Sequence, residues 1–381
     1  MSDFQDLAKG IKTLFPNSDF VPLHAPVFDG NEKKYVIETI ESTFVSSVGE
    51  YVNRLENDIS NKVHSVGCVA TVNGTSALHA TLEVLGIGFG DEVLTQCLTF
   101  VATANAISYQ YADPIFIDID RHTLGMSPSS LADFLEKNAE LRDEVCYNKI
   151  SGKKIKACIP MHTFGFIGEI ETICDICDKY NISVIEDAAE ALGSHKNGRF
   201  AGTFGQMGIY SFNGNKIITA GGGGAIVSNS KELVTKLKHL TTTAKLSHEW
   251  EYNHDRVGFN YRMPNINAAL LCAQLEKLEF FIGEKTKLFE KYEGFFSKFS
   301  FSLSKPPENI RWNHWLFSLE MQDKEQRDIF LEETNRIGVM TRPIWNLMHR
   351  LPMYKNCLRS DLSNAEFLEN RMVNIPSNKL S

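Results

Sequence analysis

This chain has no apolar run near the roughly 18 residues needed to cross a bilayer, so no membrane span is expected. It also lacks the basic start, apolar centre and small-residue cleavage site of a secretory leader. Its opening, MSDFQDLAKGIKTLFPN, is mixed and polar, and the expected location is the cytoplasm. Positive charge is in deficit, with 39 Lys and Arg against 47 Asp and Glu for a net charge of −8. That balance argues against sequence-independent nucleic-acid binding, which needs a concentrated basic surface. Anionic ligands must be held by local donors. There is no internal repeat, no low-complexity tract and no G-x-G-x-x-G after the early strand patterns.

The eight cysteines (Cys68, Cys97, Cys146, Cys158, Cys174, Cys177, Cys272 and Cys357) are scattered along the chain. Without a secreted context they do not suggest a disulfide framework. Cys174 and Cys177 form a C-x-x-C. With Ile170 and Ile173, however, they fall at i, i+3, i+4, i+7, the buried stripe of a helix, and read as core rather than as a redox or zinc pair.

At 381 residues the chain exceeds what a single core comfortably serves. From 66 to 229 short β-branched or apolar runs alternate with helical patterns, the signature of a mainly parallel sheet covered by helices. The candidate strands are VGCVATV (66–72), EVLTQ (92–96), PIFIDI (114–119), KACIPMH (156–162), SVIEDAA (183–189), GIYSF (208–212) and AIVSN (225–229). They make a seven-stranded α/β sheet. A long helical pattern starts at Asn265, which can cap it, and runs to about 299. The expected division is an N-terminal arm over 1–30, ending in the extended VPLHAPVFDG, a large α/β domain over 31–275 and a small α+β domain over 276–381.

Three motifs carry chemistry. In ATVNGTSALHATLEVLG a strand runs through Asn73-Gly74-Thr75-Ser76 into a helix. Free N–H groups and the positive dipole end offer a phosphate site there, and a plain N-cap by Thr75 or Ser76 is the other possibility. SVIEDAAEALGS ends an apolar strand in Glu186 and Asp187, at the strand end where open α/β sheets bind ligands. A buried acid there needs a partner, either a protein cation or a heterocyclic one. Finally, YSFNGNKIITAGGGGAIVSN sets Lys216 between a polar run and Gly221 to Gly224. An amine that titrates near 10.4 when free must be shifted down by roughly 2 to 3 units to act as nucleophile or base at neutral pH. Phosphate anchor, acid and lysine together are what pyridoxal phosphate requires.

The segments NGTSALHATLEVLGIGFGDEVLTQCLTFVATANAI, VIEDAAEALGS, FGQMGIYSFNGNKIITAGGGGAIVSN and GFNYRMPNINAAL resemble, in order, the nucleotide-sugar aminotransferases of the DegT/StrS family, which have the type I pyridoxal-phosphate fold. The resemblance implies that Lys216 takes the aldehyde of pyridoxal 5'-phosphate as a Schiff base and that Asp187 pairs with its ring nitrogen. It implies that Phe100 stacks on the ring, and that the Thr75 and Ser76 amides and the Ser211 hydroxyl hold the phosphate. Asn260 matches the position that reaches the phosphate of a neighbouring subunit, which implies a homodimer. Arg262 is a candidate for a substrate carboxylate or diphosphate, or for a structural ion pair. One departure stands out: where the family often has Gln or His beside the phenolic oxygen, this chain has Glu190, which must be protonated, turned away or held by a cation. Lysine at 216, where deoxygenating relatives carry histidine, implies amination.

VPLHAPVFDGNEKKYVIETIESTFVSS and TRPIWNLMHRLPMY resemble the branch that aminates UDP-4-keto-6-deoxy-N-acetylhexosamines, with glutamate as donor. His24, Trp345, His349 and Tyr354 would then lie near the nucleotide-sugar cleft. A GDP- or dTDP-linked keto-sugar of the perosamine type is the alternative substrate. A nicotinamide-dependent oxidoreductase fits poorly, because the glycine run precedes a strand rather than a phosphate-binding helix. A regulator that retains cofactor without catalysis is the remaining class.

Overall fold

Seven of the apolar runs become strands of one sheet in the computed structural model, which describes residues 2–299 and 301–379. They are β1 (Gly67–Thr71), β2 (Asp91–Gln96), β3 (Asp113–Ile117), β4 (Lys154–Ile159), β5 (Ser183–Asp187), β6 (Met207–Ser211) and β7 (Gly224–Ser228). Their order across the sheet is β1-β7-β6-β5-β4-β2-β3. β7 runs antiparallel to β1 and β6, and the other pairings are parallel. The fold is therefore mixed α/β with a large, mainly parallel sheet, as expected.

Both faces of the sheet are covered, which is why its strands read as unbroken apolar runs. Val93, Ile159, Ile185, Ile209 and Ile226 pack under the helices Gly74–Val84, Val101–Tyr109 and Lys231–Thr241. Their neighbours Leu94, Cys158, Val184, Tyr210 and Val227 join the main core, with Leu55 and Ile59 of helix Glu50–Val63 and Leu271 of helix Asn265–Glu276. Ile170, Ile173 and Cys177 are buried and all eight cysteines are free, so the C-x-x-C belongs to the core.

The sequence reading departs from the structure in four places. A hairpin, Ala139–Arg142 and Val145–Asn148, extends the sheet beyond β4; its turn uses Asp143 (φ 48°) and Glu144 (φ 62°), residues that do not advertise positive φ as Asn-Gly would. The N-terminal arm begins with a helix, Ser2–Thr13, whose Leu7, Ala8 and Ile11 are buried and which packs on helix Lys324–Arg336. The long helix is two, Asn265–Glu276 and Leu278–Phe296, parted at Lys277 (φ −104°, ψ 2°); the apolar periodicity runs straight through, so nothing in the pattern marks the break. Asn265 does not cap the helix. Pro264 precedes the first turn, and the buried Asn265 side chain instead donates to Phe44 O (2.7 Å) and accepts from Val52 N (3.3 Å).

Beyond the second helix a four-stranded sheet orders Ser302–Leu303, Phe317–Glu320, Met372–Ile375 and Arg342–Pro343. The segment between Arg342–Pro343 and Met372–Ile375 runs beside β3, where Phe116 N donates to Leu358 O and Ser360 N to Phe116 O, each at 2.9 Å.

Candidate active site

The carboxyl ends of β1, β2, β4, β5 and β6 lie at one edge of the sheet, and the residues just past them line a cavity of about 570 Å³. Asn73 to Thr75 follow β1, Phe100 follows β2, Met161 follows β4, Asp187 and Ser211 end β5 and β6, and Gly223 precedes the antiparallel β7. Ligands bind at this edge of open α/β sheets. The glycine run now has its reason. Gly221 sits at φ 77°, and a Cβ on Gly224 would stand 2.5 Å from the Asn73 carbonyl, so β7 can approach the helix start closely only without a side chain.

Asp187 is buried, and burial raises its pKa. It accepts from Thr103 Oγ1 (2.6 Å) and Ala189 N (3.2 Å), both of which oppose that rise by favouring the charged form. Lys216 lies in the turn after β6, where its amide donates to Asn213 O (3.0 Å). Its Nζ stands 3.0 Å from Glu190 Oε1 and 4.2 Å from the centre of the Trp315 ring. Glu190 points inward: its Oε2 accepts from Phe164 N (2.9 Å), and burial pushes its pKa up to about 7 against the pull of Lys216. Glu190 thus faces a cation, and its raised pKa keeps the protonated form accessible near neutral pH. Phe164 adopts φ 55°, a strained conformation for a phenylalanine, and thereby aims its N–H at that carboxylate.

The helix start is capped by Asn73, whose Oδ1 accepts from Ser76 N (2.7 Å). The Ser76 amide donates to the cap, and Ser76 does not line the cavity, unlike Thr75. Gly74 and Thr75 are the first helical residues, whose N–H groups have no intrahelical acceptor. Phe100 is half exposed toward the cavity, and its ring meets that of Trp345 edge-on at 6.0 Å.

Other expected residues lie elsewhere. The extended arm puts Leu23 in the cavity and turns His24 into a small gap beside Gln274 and Lys285, where burial, followed by the Lys285 charge, holds its pKa well below the usual value. Arg262 donates to Asn53 Oδ1 (3.2 Å) away from the cavity. His349 sits 3.3 Å from Glu366 Oε1, and Tyr354 OH donates to Asn105 Oδ1 (2.6 Å), both outside the lining. Asn260 is exposed on the surface and does not reach this cavity from its own chain.

Sequence reasoning missed Asn73, Thr103, Phe164, Trp315, Arg342 and Asn374. Asn73 could have been found, since Asn before G-T-S is a strong N-cap signal. Trp315, Arg342 and Asn374 come from the distant C-terminal sheet, and no local pattern ties them to Lys216.

The residues fit pyridoxal phosphate on structural grounds. A buried acid destabilised by desolvation invites a cationic ring nitrogen, a single amine faces the same cavity, and a helix start offers donors for a phosphate. Fold and site together define a pyridoxal-phosphate enzyme with the type I architecture. Residues 26–380 match the model of the DegT/DnrJ/EryC1/StrS aminotransferase family, and the chain belongs to that family of pyridoxal-phosphate-dependent sugar aminotransferases. It is 36% identical to the GDP-perosamine synthase of Escherichia coli O157:H7 over 94% of this chain and 93% of that one. It is 34% identical to the GDP-perosamine synthase of Vibrio cholerae over 94% of both. Among solved structures, the aminotransferase TlmJ of Streptoalloteichus hindustanus superposes with a TM-score of 0.85 at 25% identity, covering 94% of this chain and 93% of that chain. No helix among the described residues is long and apolar enough to cross a membrane.

Proposed function

We propose that this enzyme moves an amino group from L-glutamate to C4 of a 4-keto-6-deoxy nucleotide sugar, and that the sugar is GDP-linked. The relatives named GDP-perosamine synthase, matched over nearly the whole chain, favour GDP over the UDP-N-acetylhexosamine that the N-terminal and 341–354 segments suggested. The observation that carries the chemistry is the cluster of Asp187, Glu190 and Lys216 at one strand edge, with the amine 3.0 Å from a carboxylate whose pKa is about 7.

Bound pyridoxal phosphate supplies an electron-withdrawing ring that stabilises negative charge on the substrate carbon. This chain's residues do the rest. Asp187 retains accepting capacity that would serve the ring N–H, Phe100 would pack against the ring, and the Gly74 and Thr75 amides with Ser211 Oγ would hold the phosphate. Lys216 Nζ is the group that carries the proton to and from the substrate carbon, a role typically worth about 10² to 10⁴ in rate. Glu190, titrating near neutrality, holds or releases a proton beside that amine. Trp315, Leu316, Trp345 and Leu23 keep water from it.

A homodimer completes the site in this reading, with Asn260 serving the neighbouring cavity. Exposed apolar residues in the flanking segments, Phe44, Val48, Trp250 and Val257, support a surface that a second copy covers. Hydride trapping followed by peptide mapping should place the adduct on Lys216, and a panel of GDP-, dTDP- and UDP-linked 4-keto sugars with glutamate should show turnover fastest with GDP. An adduct on another residue sinks the chemistry; preference for UDP sinks only the nucleotide.

A further inference from the structure

One wall of the cavity is built by the C-terminal sheet. There Arg342 and Asn374 stand directly opposite each other on antiparallel strands, and both line the cavity. Directly paired residues project from the same face, so guanidinium and amide lie side by side. Asn374 is 4% exposed; its Oδ1 accepts from Ser318 Oγ (2.8 Å), and its Nδ2 donates to no protein atom among the described residues. Arg342 Nη1 donates to Asn335 Oδ1 (3.0 Å) and Thr341 O (2.9 Å), which leaves Nε and Nη2 without protein acceptors among the described residues. No carboxylate among the described residues pairs with this arginine. The acids of the cavity are engaged elsewhere, Glu190 by Lys216 and Phe164, and Asp187 by Thr103 and Ala189.

A nearly buried amide and an unpaired guanidinium at the cavity mouth present only donors, and together they are complementary to one ligand chemistry, an oxyanion with two acceptor oxygens. We infer that Arg342 and Asn374 form an oxyanion subsite that orients a substrate in this cavity. The inference rests on the aminotransferase reading, which supplies two candidate sources: the carboxylate of the amino donor and the diphosphate of the nucleotide sugar. Both carry the geometry that a guanidinium fork matches.

The test uses the full-length, cofactor-loaded protein and two unreactive probes, glutarate and GDP, titrated calorimetrically. Arg342→Met should weaken one or both probes by roughly 10- to 100-fold. Arg342→Lys should recover part of that loss, because a point charge replaces the fork. Loss confined to glutarate identifies the donor carboxylate as the occupant, and loss confined to GDP identifies the diphosphate. Asn374→Asp provides an independent arm: the new carboxylate would pair with Arg342, fill the fork and expel the same probe. Arg342 is solvent-exposed, so its replacement should leave the fold intact. Wild-type affinity for both probes in Arg342→Met and Asn374→Asp, with Lys216 still carrying cofactor, would overturn the subsite. A wild-type protein with no adduct at Lys216 would instead remove the aminotransferase reading, so the two failures are read on different measurements.

Discussion

Glu186 and Asp187 are neighbours in one strand, and both are buried. Glu186 faces away from the cavity and accepts from Gly202 N (2.7 Å), Phe204 N (2.5 Å) and Gly205 N (2.7 Å), with His162 Nε2 at 2.8 Å. An ionised carboxylate has about four acceptor sites, and these are filled. Among the described residues, the carboxylate of Asp187, one residue on and therefore on the other face, is met by Thr103 and Ala189 alone. The contrast separates two uses of a buried acid. One whose lone pairs the protein satisfies holds the fold together; one left with spare capacity at a cavity is kept for a ligand cation.

Substitution should pull the two apart. Asp187→Asn is expected to lower kcat by roughly 10³-fold, since the ring nitrogen would lose the anion that keeps it protonated, while the thermal midpoint of the cofactor-free chain holds or rises. Glu186→Ala should do the reverse to stability. Three backbone N–H groups and His162 would be left unsatisfied in the interior, at a cost of about 3 kcal/mol or more in denaturant unfolding. If Glu186→Ala proved as stable as wild type, the division between structural and ligand-facing acids would fail.

The sheet was legible because strands buried on both faces write themselves as apolar runs, and six of the seven were placed within two residues at each end, the fourth running three residues past its observed end. Lys216, Asp187 and Thr75, named from motifs, and Phe100 and Ser211, named from the family resemblance, all line the cavity because each ends a strand or lies a few residues past one. Trp315, Arg342 and Asn374 were not, because they reach the cavity through pairings roughly 100 residues or more from the lysine, as in the bond from Trp315 Nε1 to Asn215 O (2.7 Å). His24 lies behind the cavity wall, close enough to feel Lys216 and the Asn215 backbone, and does not line it. An extended arm alternates its side chains, and Leu23 rather than His24 takes the inward side.

Glu190 sharpens the comparison, because it is buried yet only partly satisfied. Its pKa is raised from the ordinary 4.5 to about 7, so between those values the folded chain binds more protons than the unfolded one. Stability from this group is therefore present below about pH 4.5 and is lost as pH rises toward 7, by up to about 3 kcal/mol. In the cofactor-free protein, Glu190→Gln should flatten the fall in thermal midpoint across that window. Identical pH profiles for the two would show that Lys216 compensates the charge in full and that no neutral-pH titration occurs beside the amine.

The smallest expected effect lies at the edge of the same cavity. Trp345 and His349 are four residues apart, and both were named from sequence as cleft residues. Trp345 lines the cavity, with its ring 5.0 Å from Phe164 and 6.0 Å from Phe100. His349 lies outside the lining, mostly buried, with Nε2 3.3 Å from the exposed Glu366, a contact of the kind that contributes about 1 kcal/mol or less. Trp345→Ala should raise KM for the nucleotide sugar by about tenfold through lost ring packing, whereas His349→Gln should leave kcat/KM within about twofold. The pair is informative because chain position and residue conservatism cannot separate the two sites; only the side each ring faces does. Equal losses in both variants would mean that the cleft extends past Trp345 in the working enzyme and that His349 rejoins it when substrate binds.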